Sequence, residues 1–192
     1  ACKTPYERAL VEFLRVTGVR VGELVTVKIS DIDWYSGKVS VFGHKTMSYR
    51  NVYLDEVAMI HIKEYLGDRT SGYLFIGQRS HEQLKTATVR DVIHNISERA
   101  GMGQRLHPHI FRHTCATNIV KRGGSVSDAG DYLGHKDQTT AGRHYVYKGE
   151  EHILNIFICY INSVTSTHNF AIFYPNTFCP FQSRFFPLEC DQ

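Results

Sequence analysis

LHPHIFRHTCATNIVKRG, residues 106–123, crowds three histidines and an arginine into its first eight positions and then continues as an apolar helix. Proline is well placed at the first helical position, so the spacing predicts a helix from Pro108 to Lys121. His109 and Arg112 are three residues apart and share one face of that helix, where imidazole and guanidinium can converge on one small target. A phosphate suits them: arginine offers a rigid fork to two oxygens, histidine adds a third donor, and the helix N-terminus adds partial positive charge. Two other readings stand beside it, a metal site and a satisfied structural cluster. His109 and His113 have the i, i+4 spacing of HExxH zinc helices, but Ile110 occupies the place of the general-base glutamate. Arg112 would also repel a metal ion.

Outward from this helix, apolar periodicity marks further elements. PYERALVEFLRVTG sets Ala9, Leu10, Phe13 and Leu14 at helical spacing and stops at Gly18, and a short second helix begins near Gly22. Two β-like runs, Val39 to Phe42 and Arg50 to Leu54, form a hairpin with Lys45 near its tip. DEVAMIHIKEYL is helical behind an Asp55 cap, with Val57, Ile60, Ile62 and Leu66 as the apolar positions. SGYLFIG is predicted as one more short strand. TATVRDVIHNISERAG reads as a helix capped by Thr88, and helices also follow over Val126 to Leu133 and around Thr140 to Tyr147. Ile110, Cys115 and Ile119 are assigned to packing under the central helix. The pattern over the first 150 residues predicts an α+β, mainly helical fold with a small antiparallel sheet.

Of the 22 Lys and Arg, 21 lie in residues 1–152, against 17 of the 19 Asp and Glu, so the mild excess of base is concentrated there. Such a balance is compatible with nucleic acid but does not require it. Five cysteines show neither a CxxC pair nor zinc spacing, so the expected setting is reducing and cytoplasmic. There is no run of about 18 apolar residues and no signal-peptide layout, which makes a membrane an unexpected partner. Residues 153–192 differ in kind: they hold seven of the eleven Phe, three of the five Cys and three of the five Pro. Leu154, Phe157, Ile158 and Ile161 form one helical stripe, after which no period is legible.

The central helix does not stand alone. TGVRVGEL (17–24) carries Arg20 with Glu23 three residues on, YLGHKDQTT (132–140) carries His135 after a Gly-His turn, and His144, Tyr145 and Tyr147 follow. In this order the segments resemble the catalytic domain of the tyrosine recombinase, or phage integrase, family, from about Pro5 to His152. The resemblance implies a catalytic domain over 1–152, followed by an atypical tail, 153–192, that begins with a helix able to pack on a neighbouring subunit. It implies that Arg20 and Arg112 grip the non-bridging oxygens of a scissile phosphate and that Lys45 is the general acid for the departing 5′ oxygen. His109 would assist at the phosphate, as a base near the nucleophile, His135 would complete the cradle, and Glu23 would orient rather than react.

The family usually sets its nucleophile nine residues after the turn histidine, which here falls on His144. Tyr145 is the favoured nucleophile because one extra residue can be absorbed locally, with Tyr147 in reserve. The hairpin loop is one residue longer than the common form, so a strict count would land on His44. Loop insertions are cheap, and Lys45 is kept. His107 and His113 are read as structural residues or DNA contacts.

This chemistry explains the residue types. Attack by a phenol on a phosphodiester builds negative charge on five-coordinate phosphorus, which preorganised cationic donors stabilise without a metal or ATP. A phenol, with a reference pKa of about 10, needs its proton taken in the transition state. No cofactor or metal is expected, and no P-loop pattern is present. The implied partners are double-stranded DNA, a homotetramer on paired sites, and accessory DNA-bending proteins. Family members usually carry a helical DNA-binding domain ahead of the catalytic one, whereas this chain begins almost at the catalytic helix. Weak, salt-dependent DNA binding is therefore expected. The rival readings are a catalytically silent DNA-binding remnant and a metal-dependent hydrolase using the histidines; a type IB topoisomerase, with similar phosphate chemistry, ranks below recombination.

Overall fold

The computed structural model describes residues 1–44, 46–102 and 106–134. Its elements are α1 (Pro5–Thr17), α2 (Val21–Leu24), a single 3₁₀ turn (Ile29–Asp31), β1 (Lys38–Gly43), β2 (Ser48–Tyr53), α3 (Glu56–Leu66), α4 (Thr86–Arg99), α5 (Pro108–Lys121) and α6 (Val126–Leu133). The helices dominate, and β1 and β2 pair antiparallel with Val39 opposite Val52 and Val41 opposite Arg50.

Helix α1 is the axis of the domain, packing on α3 along one side and on α5 along another. Its start is fixed by Thr4, whose hydroxyl accepts the Glu7 N–H at 3.2 Å, with Pro5 in the first turn. Ala9, Leu10, Phe13 and Leu14 are fully buried. The helix ends at Gly18 in the left-handed conformation, φ 57°, which glycine adopts without a Cβ penalty. Gly18 is also a point of close approach. A Cβ there would lie 2.7 Å from Leu133 Cδ2 and 2.9 Å from Cys115 Cβ, so this one position joins the ends of α1 and α6 to the middle of α5.

Helices α5 and α6 keep the bounds read from sequence, and the start of α5 and both ends of α6 are marked locally. Pro108 opens α5; Ser125 accepts the Asp128 N–H at 3.1 Å to open α6, and Gly134 closes it with φ 68°. Between them Cys115, Ala116, Ala129 and Leu133 make a small second core beside the main one. Cys115 packs as assigned, and burial pushes its thiol up to about 11. Ile110 is buried and Ile119 is half-buried against the α5–α6 core.

Three local expectations differ from the structure. Helix α4 starts at Thr86 behind Lys85, so Thr88 lies inside the first turn rather than at the cap; buried Leu84 anchors the chain just before the helix and sets its entry one turn earlier. SGYLFIG forms no ladder. Leu74 and Phe75 are consecutive and both buried, without the alternation of a half-buried strand, and the segment makes only single bridges, Lys28 to Tyr73 and Ile76 to Gln83. In α3 the core stripe is Ala58, Ile62 and Leu66, an i, i+4, i+8 line that turns Ile60 outward to 56% exposure. Among the described residues no helix is long and apolar enough to cross a membrane. The expected helices around Thr140 to Tyr147 and Leu154 to Ile161 lie outside the described residues.

Candidate functional site

Arg112 sits in the second turn of α5, where the helix is enclosed between α1 and α6, and only 7% of the residue is exposed. A buried guanidinium must be hydrogen-bonded, and this one donates from Nη1 to the Gly18 carbonyl at 2.8 Å and from Nη2 to the Leu133 carbonyl at 2.6 Å. Both acceptors are terminal carbonyls, one at the cap of α1 and one at the last residue of α6, where helices leave carbonyls unpaired and carry partial negative charge. Arg112 therefore ties two helix ends together through its charge.

Arg20 reaches the same turn. It stands at the entrance of α2 in extended conformation, and its Nη2 donates to the Gly134 carbonyl at 3.3 Å. The two arginines thus occupy consecutive carbonyls, Leu133 and Gly134, of the turn that leads in sequence to His135. They converge rather than face apart. The Arg20 side chain stays 27% exposed, in contrast to Arg112.

Glu23 is the acid that fixes Arg20. Its carboxylate, buried to 2% residue exposure, accepts the Arg20 backbone N–H at 2.8 Å and the Arg20 Nη1 at 3.1 Å. Arg50 on β2 reaches the same group through two bonds, 3.0 Å from Nη1 and 2.7 Å from Nη2. Burial acts to raise the Glu23 pKa, but the Arg50 hydrogen bonds, the Arg20 N–H and the Arg50 charge outweigh it and hold the carboxyl below its ordinary 4.5. The far end of β1 belongs to the same neighbourhood: a Cβ on Gly43 would lie 3.6 Å from Glu23 Oε1 and would collide with Thr46 Oγ1. The hairpin turn closes with the Met47 N–H donating to the Gly43 carbonyl at 2.7 Å.

His109 lies on the exposed part of the first turn of α5, its ring edge-on to His107 at 6.1 Å. Partial desolvation, then the neighbouring His107, His113 and Arg112 and the charge of Arg90, lower its pKa from 6.5, so the imidazole is neutral at neutral pH and able to take a proton. His44 packs edge-on against the Phe42 ring at 5.3 Å. Lys45, His135, His144, Tyr145 and Tyr147 lie outside the described residues. Among the described residues no group of three or more His, Cys, Asp or Glu could hold a metal ion.

Two residues of this neighbourhood were not singled out from sequence. Arg50 carried a signal: it precedes Val52 by two on β2, so it starts on the buried face of the hairpin, where a charge demands a buried counter-charge. Tyr132 carried none. Its hydroxyl accepts the Tyr53 N–H at 3.2 Å and donates to the Val16 carbonyl at 3.4 Å, joining α6 to β2 and to the end of α1. Burial pushes its phenol well above the usual range.

The described fold and the gathered arginines match a known group. The sequence model of the phage integrase family covers residues 1–152. Tyrosine recombinase XerC of Staphylococcus aureus (strain bovine RF122 / ET3-1) is 30% identical over 162 residues, which is 81% of this chain and 53% of that protein. The crystal structure of XerA recombinase superposes with a TM-score of 0.68 at 28% identity, covering 86% of this chain and 59% of the other. A lambda integrase fragment, crystallised as a dimer bound to a COC′ core site, gives 0.61 at 26% identity, covering 77% and 54%. This chain belongs to the phage integrase family. It spans about half the length of the curated relatives it matches.

Proposed function

We propose that this chain is the catalytic part of a site-specific DNA recombinase that cleaves and rejoins strands through a covalent 3′-phosphotyrosine. The observation that carries the reading is the convergence of Arg20 and Arg112 on the consecutive carbonyls of Leu133 and Gly134. Two guanidiniums held at one turn by their own protein are preorganised for a second, phosphate, acceptor, and their charge needs no rearrangement when the reaction develops negative charge.

In this reading the Tyr145 phenol oxygen attacks phosphorus while the bond to the 5′ oxygen breaks. The phenolic proton passes to His109, whose lowered pKa keeps it neutral and receptive. Lys45 gives a proton to the departing 5′ oxygen, His135 donates to a phosphate oxygen, and Arg20 and Arg112 hold the non-bridging oxygens. Rejoining is the reverse, attack by a 5′ hydroxyl that expels the tyrosine, and it consumes neither ATP nor metal. Residues 1–152 form the catalytic domain and 153–192 a tail whose first helix packs on a neighbouring copy. Double-stranded DNA is the substrate, four copies act on paired sites with DNA-bending accessory proteins, and the setting is cytoplasmic.

The test is incubation of the chain with a pool of nicked duplexes of randomised sequence, in which the released fragment cannot be rejoined. A detergent-stable DNA adduct forms, mass spectrometry finds the nucleotide on Tyr145, and Tyr145→Phe abolishes it. An adduct on Tyr147 moves the nucleophile to that residue. Salt-sensitive duplex binding with no adduct overturns catalysis in favour of a silent DNA-binding module, and chelator-sensitive hydrolysis overturns the metal-free route.

A further inference from the structure

Arg50 has no part of its own in the proposed phosphoryl transfer, yet it borders the turn that gathers the two arginines that do. It lies opposite Val41 in the hairpin, its side chain is 14% exposed, and both its terminal nitrogens are spent on Glu23. The stem rests on the turn after α6: a Cβ on Gly134 would lie 3.1 Å from Arg50 Cδ.

A carboxylate offers about four lone-pair positions. At Glu23 four donors fill them: Oε1 takes Arg20 Nη1 and Arg50 Nη1, and Oε2 takes the Arg20 backbone N–H and Arg50 Nη2. Arg50 therefore occupies half of the acceptor capacity that lies beside the Arg20 guanidinium. Remove it, and two acceptor positions open within reach of Arg20. A paired, planar contact with both oxygens is the stronger arrangement for guanidinium and carboxylate in a poorly hydrated site, so Arg20 would turn into it and leave the Gly134 carbonyl. The charge balance moves the same way. Two cations facing one anion leave one positive charge, whereas Arg20 alone with Glu23 leaves none.

We infer that Arg50 is a positioning residue: by saturating Glu23 it limits the Arg20 guanidinium to one bond with that carboxylate and leaves it directed at the Gly134 turn and uncancelled in charge. The inference rests on the reading that Arg20 binds the scissile phosphate. Arg50 itself need not touch DNA for this; its Nε is buried and has no hydrogen-bond partner.

Two measurements test it. In adduct formation on the nicked pool, Arg50→Gln lowers the rate about 100-fold, the scale of a small misplacement of a charged group. The double variant Glu23→Gln with Arg50→Gln removes both the captor and its occupant, and its rate returns to within about tenfold of the unaltered chain. A merely structural role predicts the opposite, since the second substitution would add to the damage. A double variant no faster than Arg50→Gln alone overturns the inference. The second measurement is independent of activity: a crystal structure of Arg50→Gln, or the nitrogen NMR shift of Arg20 Nε in solution, shows Arg20 on both Glu23 oxygens and off the Gly134 carbonyl. Arg20 unmoved overturns the inference, whatever the rates. If the unaltered chain forms no adduct, the recombinase reading fails, while the Arg20 geometry in Arg50→Gln still decides the role of Arg50. Should Arg50→Gln not fold, Arg50→Lys replaces it in both measurements: with one ammonium in place of the fork it lowers the rate by a smaller factor, and an unchanged rate with Arg20 unmoved overturns the inference.

Discussion

Arg112 and Arg20 reach adjacent carbonyls, yet they are held in opposite ways. Arg112 is enclosed among α1, α5 and α6 and anchored on backbone, Gly18 and Leu133. Arg20 is half-open and anchored on a side chain, Glu23, which it shares with Arg50. Backbone acceptors at helix ends cannot be repositioned without moving the helices, so Arg112 is as fixed as the core itself. A carboxylate shared by two guanidiniums can be redistributed between them by a single substitution. The first arginine is therefore part of the fold, and the second is set by a local balance of charge.

The contrast can be broken at several points. Arg112→Met should have the largest effect on stability, about 4 kcal/mol in urea unfolding, because it leaves two buried carbonyls without donors at about 1–3 kcal/mol each. A loss below about 1 kcal/mol would mean that water or other donors replace the guanidinium and that the junction is not dry. Gly18→Ala should cost about 3 kcal/mol, combining the left-handed backbone penalty with overpacking against Leu133 and Cys115. Thermal unfolding would show it as a lowered midpoint, and an unchanged midpoint would show that α6 can step away from α1.

Glu23 sharpens the comparison through pH. Its folded-state pKa is depressed below 4.5, so the stability it contributes is fully present above that value and is lost as pH falls through the lower, folded-state value. Urea midpoints across the acid range should fall more steeply for the unaltered chain than for Glu23→Gln, and parallel curves would remove the carboxylate from the account. The smallest effect on stability is expected at Arg20. Arg20→Ala should change the unfolding free energy by under about 1 kcal/mol, as for other partly exposed ion pairs, while abolishing adduct formation. A large loss of stability there would erase the distinction between the two arginines.

Much of this was legible before any coordinates. Pro108 marked the start of α5 and the range Val126 to Leu133 was read for α6, whose Ser125 and Gly134 caps lie next to it in sequence, and Arg20, Glu23 and Arg112 stood out within their motifs. Where several residues compete for the core, the sequence was less decisive. In α3 Ile62 and Leu66 are buried as read, but Ala58 takes the core place expected of Val57 and Ile60, and SGYLFIG was taken into the interior as two adjacent buried residues rather than an alternating strand.

By itself, then, the sequence determined the helices with local stop and start signals, the antiparallel hairpin, and two of the cations, Arg20 and Arg112, that gather at the turn before His135. Only the tertiary structure decided what those cations lean on. The carbonyls that hold Arg112 lie 94 and 21 residues away, and Arg50 meets Glu23 across a separation of 27, so neither partnership leaves a local pattern. Hydrogen bonds to helix ends and a shared carboxylate exist only once packing has brought those ends together, because desolvation is what makes each such partner obligatory.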